Sequence, residues 1–172
     1  KPPLGFARLM MFEISVKSGE FDSAIQLNET MEAEGLEHAG LRAAFSFRKA
    51  VLFFSLRDWA QCRLFLDGAL EAYRSLEAPI VEARLMYMYT QLAGVQGHIP
   101  KAFRRARETL RLAQTYDDRT THRKILETSA LISMKQGDLE ESEDYFERAL
   151  ELRRMVGFYG HAAGLHNNRA NL

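Results

Sequence analysis

Apolar residues recur along this chain at helical spacing, and short polar turns separate one apolar run from the next. In the run from Gly137 to Leu150, residues Leu139, Ser142, Tyr145, Phe146 and Ala149 fall on one face of a helix. Gly137 has no Cβ to clash and suits the backbone that ends the preceding helix. Asp138 and Glu141 have the spacing of a capping box, which satisfies free amides at the next helix start. The same reading predicts helices over residues 4–18, 21–34, 39–56, 59–76, 80–95, 100–115, 120–135 and 139–155, with a ninth opening in 161–172. No stretch alternates with the two-residue period of a strand, and no Asn-Gly hairpin signal occurs. The chain is expected to be all-α.

The turn-helix pattern repeats. Moved back by 40 residues, Gly137-Asp138-Leu139 falls on Gly97-His98-Ile99-Pro100-Lys101-Ala102, and by another 40 on Arg57-Asp58-Trp59-Ala60-Gln61-Cys62. A further step of 38 reaches Gly19-Glu20-Phe21-Asp22-Ser23-Ala24. A turn, an apolar residue two positions on and a small residue five positions on are common to all four copies. In two of them a bulky residue (Leu66, Phe146) and then Ala-Leu (Ala69-Leu70, Ala149-Leu150) follow at matching offsets. Repeats of this length signal a stacked helical solenoid. The units run over residues 4–38, 39–78, 79–118 and 119–158, with a partial fifth over 159–172, all within one domain. The linkers Tyr116-Asp117-Asp118-Arg119-Thr120 and Val156-Gly157-Phe158-Tyr159-Gly160 are expected to supply the length beyond a shorter repeat.

The turns Phe53-Phe54-Ser55-Leu56-Arg57-Asp58-Trp59 and Met134-Lys135-Gln136-Gly137-Asp138-Leu139 resemble those between the two helices of the tetratricopeptide repeat family. The resemblance spans nearly the whole chain. It departs in period, near 40 here against ~34 in the common form, and in Lys49 and Ser129, where that family prefers a large apolar residue. It implies a right-handed solenoid of about four and a half antiparallel hairpins whose first helices line a concave groove for a peptide or protein.

In that register the first unit offers Phe6, Leu9, Met10 and Glu13 to the groove, and the second offers Phe47, Arg48, Val51 and Phe54. The third offers Arg84, Tyr87, Met88 and Gln91, and the fourth Lys124, Glu127, Thr128 and Leu131. Asn168 and Asn171 match the asparagines by which long-period members, such as kinesin light chain and bacterial regulators, hold an extended peptide. The other units carry Met10/Glu13, Arg48/Val51, Met88/Gln91 and Thr128/Leu131 there, so a continuous asparagine ladder is absent. The Lys/Asn clamp of co-chaperone members is absent as well.

Composition narrows the function. Hydrophobic content of 47% with 27% charge is that of a folded, water-exposed chain. The 172 residues balance 23 basic against 23 acidic, which gives no global field for nucleic acid or an anionic membrane. No apolar run reaches the ~20 residues of a membrane span. The one cysteine, Cys62, sits at a small-residue position and is expected in the core, so no intrachain disulfide forms and a cytoplasmic setting suits the chain. Opening on Lys1-Pro2-Pro3-Leu4 and closing part-way through a unit, the sequence reads as a piece of a longer protein.

Signatures of catalysis are missing. There is no glycine-rich phosphate loop and no Gly-x-Ser-x-Gly elbow. His38, His98, His122, His161 and His166 show no i, i+4 pair for zinc, so no metal or cofactor is expected. Asp117 and Asp118 read as a solvated cap rather than a catalytic pair. Lys101, Arg104, Arg105, Arg107 and Arg111 form a basic stripe that Glu108 interrupts; without interleaved aromatics it reads as a solvated face. The expectation is a non-enzymatic module that binds a protein or peptide, as the sensory or regulatory part of a larger bacterial regulator. A self-associating scaffold joined through its terminal helices and a small-molecule sensor are the alternatives.

Overall fold

A computed structural model describes residues 4–36 and 38–155. Among them are eight helices and no strand: α1 (Leu4–Ser18), α2 (Phe21–Glu34), α3 (Ala39–Ser55), α4 (Trp59–Ser75), α5 (Pro79–Val95), α6 (Ile99–Thr115), α7 (Arg119–Gln136) and α8 (Leu139–Met155). Each end lies within one residue of where the apolar pattern puts it. Pro79 belongs to the helix it was expected to precede, as the first residue of α5, where its missing N–H removes no intrahelical bond. The ninth helix, read over 161–172, lies outside the described residues. None of the described helices is long and apolar enough to cross a membrane.

One backbone device ends six of these helices. Glu20, Asp58, Ala78, His98, Asp118 and Asp138 each donate their amide to the carbonyl five residues back, at 2.9–3.1 Å. The residue before each has positive φ: Gly19, Arg57, Glu77, Gly97, Asp117 and Gly137. This six-to-one bond with a left-handed residue satisfies carbonyls that a helix end otherwise leaves orphaned. From Arg57 to Gly137 the left-handed positions are spaced by 20 residues. The 40-residue sequence period is therefore two nearly equal helix-turn units.

That corrects the expected role of the linkers. Between α6 and α7 the chain spends only residues 116–118, the same length as the 96–98 turn inside the preceding hairpin. The additional length of the repeat lies in its helices, which run to 17 or 18 residues from α3 onward. The equivalent linker over 156–160 lies outside the described residues.

The helix starts are capped in sequence-legible ways. Asp58, Asp118 and Asp138 accept the amides of Gln61, Thr121 and Glu141 at 3.0, 3.2 and 3.0 Å. The second half of the capping box expected at Asp138 is replaced. Its amide goes to the Ser133 carbonyl, and the Glu141 carboxylate accepts the Ser133 hydroxyl at 2.9 Å instead.

The chain divides into two compact units between Ala78 and Pro79. In the first, α1 packs on α2 and α3, and α3 on α4. Leu9, Phe12 and Val16 of α1 meet Ala24 and Met31 of α2 and Phe45 and Leu52 of α3 in one core. Phe12 and Phe45 stand edge to face, with centroids 5.8 Å apart.

In the second unit, α5 packs on α6 and α7, α6 on α7, and α7 on α8. Ala102 and Ala106 let α6 approach Ile125 and Ile132 of α7 closely, and Phe146 and Ala149 of α8 close over Leu126 and Ala130. The two off-pattern first-helix positions, Lys49 and Ser129, are buried like the apolar residues they replace.

Candidate functional site

In the first unit α1 lies against α3, and in the second α5 lies against α7, with polar side chains meeting across each seam. On the α5–α7 seam the Gln91 amide donates to the Tyr87 phenol oxygen at 2.6 Å, and Thr128 of α7 hydrogen-bonds the same phenol. Burial, the largest influence, raises the phenol's pKa above its ordinary value, and the nearby Glu127 carboxylate adds to it. The Lys124 ammonium lies 5.9 Å from the centre of the Tyr87 ring. Glu127 accepts from Arg123, one turn back on α7, and from Arg153 of α8 at 3.0 Å. Five of the expected groove residues, Tyr87, Gln91, Lys124, Glu127 and Thr128, are thereby brought into one polar and aromatic cluster.

In the first unit the corresponding seam joins α1 to α3. Arg48 grips the Glu13 carboxylate through Nε at 2.8 Å and Nη2 at 2.6 Å, and Lys17 holds its other oxygen at 2.6 Å. Burial alone would raise the Glu13 pKa, yet the hydrogen bonds and charges of Lys17 and Arg48 outweigh it and hold the carboxyl below its ordinary value. Phe47 is half-buried beside this pair in sequence.

Other expected groove residues are committed elsewhere. Met88 is 7% exposed and Leu9 lies in the first unit's core, so neither side chain is available to a ligand. Phe54 packs edge to face against Trp59, with centroids 5.5 Å apart, inside the α3–α4 hairpin. Arg84 reaches the turn ahead of α7 and holds Asp118 at 2.9 Å. Phe6, Met10 and Leu131 are exposed. Asn168 and Asn171 lie outside the described residues.

Asp118 corrects a second expectation. It caps α7 as the sequence suggests, but it is buried rather than solvated. Its Oδ2 accepts the Thr121 hydroxyl at 2.8 Å as well as Arg84. Burial works to raise its pKa, and these bonds more than offset it, leaving the carboxyl below its ordinary value. Asp117 stays exposed beside Arg119.

The basic stripe on α6 is only partly a solvated face. Arg104, Arg107 and Arg111 are exposed, whereas Arg105 is half-buried over the Tyr89 ring, 4.6 Å from its centre. Arg107 lies over Phe103 in the same way. Arg123 and Arg153 were missed as seam residues. The i, i+4 spacing of Arg123 and Glu127 was the available signal for the first; nothing local marks the second, 26 residues from Glu127. Among the described residues no group of three or more His, Cys, Asp or Glu is arranged to hold a metal ion. No protein-family model matches this chain, and no curated protein matches it.

Proposed function

We propose that the chain is a tetratricopeptide-type solenoid that binds a peptide or partner-protein segment along its first helices. In this reading it is non-enzymatic and serves as the sensory or regulatory part of a larger protein. The observation that carries the proposal is the periodic turn: one six-to-one hydrogen bond and one left-handed residue recur after six helices. Helix-turn units of near-constant length, each packed on its neighbours within its unit, are what a stacked array is built from.

The α5–α7 seam has the chemistry such a groove needs. The Tyr87 phenol and Lys124 ammonium can meet backbone carbonyls and carboxylates, and the Gln91 amide offers both donor and acceptor. A rigid aromatic beside a flexible cation is a common anchor arrangement at protein interfaces.

The test is selection of peptides from a random displayed library against the chain, followed by affinity measurements. Gln91→Ala combined with Lys124→Ala is expected to weaken selected peptides at least about tenfold, or ~1.4 kcal/mol, with the helical circular-dichroism signal retained. Unchanged affinity would place binding on another face, and a library that yields no peptide would remove the reading.

A further inference from the structure

The outer faces of α6 and α8 carry opposite charges at equivalent positions. Shifted by the 40-residue repeat, Arg104, Arg107 and Arg111 of α6 become Asp144, Glu147 and Glu151 of α8. The inversion also runs the other way, since Glu108, which interrupts the basic stripe, becomes Arg148. Over its whole length α6 holds five cations against one carboxylate, and α8 holds six carboxylates against three cations. The three arginines and the three carboxylates are all exposed, on the sides of their helices away from the buried Ala102 and Ala106 of α6 and Ala149 of α8. The two helices are neighbours within the second unit. Leu110 of α6 packs on the core that α8 forms with α7, and Arg107 Nη2 stands 4.0 Å from a Glu141 carboxylate oxygen. A basic and an acidic stripe therefore run side by side on one surface.

We propose that this surface is a self-complementary dimer interface, in which the basic stripe of one copy lies on the acidic stripe of a second copy. Two short turns reverse the chain between α6 and α8, so the two helices point the same way. A two-fold axis running along them, midway between, lays α6 of each copy on α8 of the other in register, and every charge pair is made twice. Arg107 then meets Glu147 while Glu108 meets Arg148, so the break in one stripe is matched by the break in the other. An isologous contact requires a patch that complements itself, and a surface carrying both signs at equivalent positions meets that requirement through charge. A uniformly acidic partner would be repelled by α8 and a uniformly basic one by α6, which favours a second copy over either. The balanced charge of the chain leaves no long-range repulsion between copies. Single exposed ion pairs add little, so the matched set holds the copies together and makes the dimer sensitive to salt. This surface is separate from the α5–α7 seam, and the proposal does not depend on peptide binding there.

The experiment is sedimentation of the full chain in two salt regimes. A dimer is expected at ~0.01 M salt, where charges act over about 30 Å, and a monomer at ~1 M, where they act over about 3 Å. Arg104→Glu with Arg107→Glu and Arg111→Glu makes both stripes acidic, and Asp144→Lys with Glu147→Lys and Glu151→Lys makes both basic. All six positions are exposed, so circular dichroism and Tm should stay at the parent values. Each triple variant alone should dimerise at least about tenfold more weakly at low salt. An equimolar mixture of the two should restore a one-to-one dimer, because every stripe then faces its opposite. Should a triple variant lose helicity, the single reversals Arg107→Glu and Glu147→Lys replace the triples, with the same pattern of loss and recovery expected at smaller size. A parent chain that stays monomeric at its highest soluble concentration in low salt would overturn the proposal. So would a dimer that ignores salt or survives the reversals, or a mixture that stays monomeric or forms assemblies of no fixed stoichiometry.

Discussion

The Arg84 guanidinium holds Asp118 across 34 residues of sequence, with Nε 2.9 Å from Oδ2, and so ties α5 to the first turn of α7. Asp118 also accepts from the amide and hydroxyl of Thr121, which makes one buried carboxylate both the cap of α7 and the ion-pair partner of Arg84. Its folded pKa lies below the ordinary 3.8, so the folded state binds its proton less readily than the unfolded state does. The stability it supplies is fully present above the unfolded value and disappears as pH falls through the lower folded value. Asp118→Asn should therefore flatten the acid limb of the stability-pH curve below about pH 4. Asp118→Ala should cost about 1–2 kcal/mol at neutral pH through the lost cap. Urea denaturation at a series of pH values reads both. Arg84→Ala would loosen the same turn, so a binding loss in that variant reports on folding as well as contact.

Three left-handed turn positions carry residues with a Cβ: Arg57, Glu77 and Asp117, at φ 61°, 51° and 48°. For such residues the conformation costs roughly 1–2 kcal/mol, and glycine's greater chain entropy returns part of the gain. Arg57→Gly and Glu77→Gly should each stabilise the fold by about 0.5–1 kcal/mol, or a few degrees in Tm. Gly97→Ala and Gly137→Ala should destabilise it by a similar amount. Equal Tm values across this set would show that the turns relax at no cost.

The helices were legible because their ends are written in local chemistry: Gly or Asp at most turns, Pro79 after the turn at Glu77, and an apolar stripe on either side. The left-handed state of Arg57 was recoverable only by aligning it with Gly97 and Gly137. The seam was legible in part. Tyr87 and Gln91 are one turn apart and were placed together, but Met88, one residue on, points about 100° away and is buried. Pairings such as Arg84 with Asp118 and Arg153 with Glu127 depend on which helices become neighbours. No local pattern encodes that. The balanced net charge was likewise silent about the buried ions, because each is neutralised within a few ångströms.

Cys62 is fully buried in α4, and its thiol is pushed up to about 11 from an ordinary 9.0, first by burial and then by the Asp58 charge. At pH 8 the thiolate is then only about one part in a thousand of the thiol. The native chain should resist iodoacetamide or a thiol-disulfide reagent for hours, and reaction should begin only as urea opens the unit. Rapid labelling without denaturant would contradict the packing of α4 on α3.

Lys49 is buried between rings, its ammonium 3.7 Å from the centre of Phe65 and 5.5 Å from that of Phe45, and it pairs with Glu32 of α2. Methionine has similar length and keeps the ring contacts, while Glu32 is half-exposed and can return to water. Lys49→Met is expected to leave stability within about 1 kcal/mol of the parent or to raise it. Lys49→Ala opens a cavity and should cost about 2 kcal/mol or more. A large loss in the methionine variant would show that the ion pair, rather than the filled volume, holds α2 to α3.

Among the described residues, Glu127 accepts from both the Arg123 and Arg153 guanidinium groups, and the Nε and Nη1 of Arg153 are buried without hydrogen-bond partners there. Neutralising the carboxylate leaves a largely buried cation uncompensated. Glu127→Gln should therefore cost about 2–4 kcal/mol. Arg153→Met removes the buried charge itself and leaves Glu127 to Arg123, so its cost should stay below about 1.5 kcal/mol. Once Arg153 is gone, losing the carboxylate matters less, and the double variant should be more stable than Glu127→Gln alone. A double-mutant cycle by urea denaturation measures the coupling. Additive losses would mean that Glu127 and Arg153 are not coupled, so that the apolar core of Tyr145, Phe146, Ala149 and Leu150 and the Ser142 hydrogen bond to Ala130 seat α8 without that pairing.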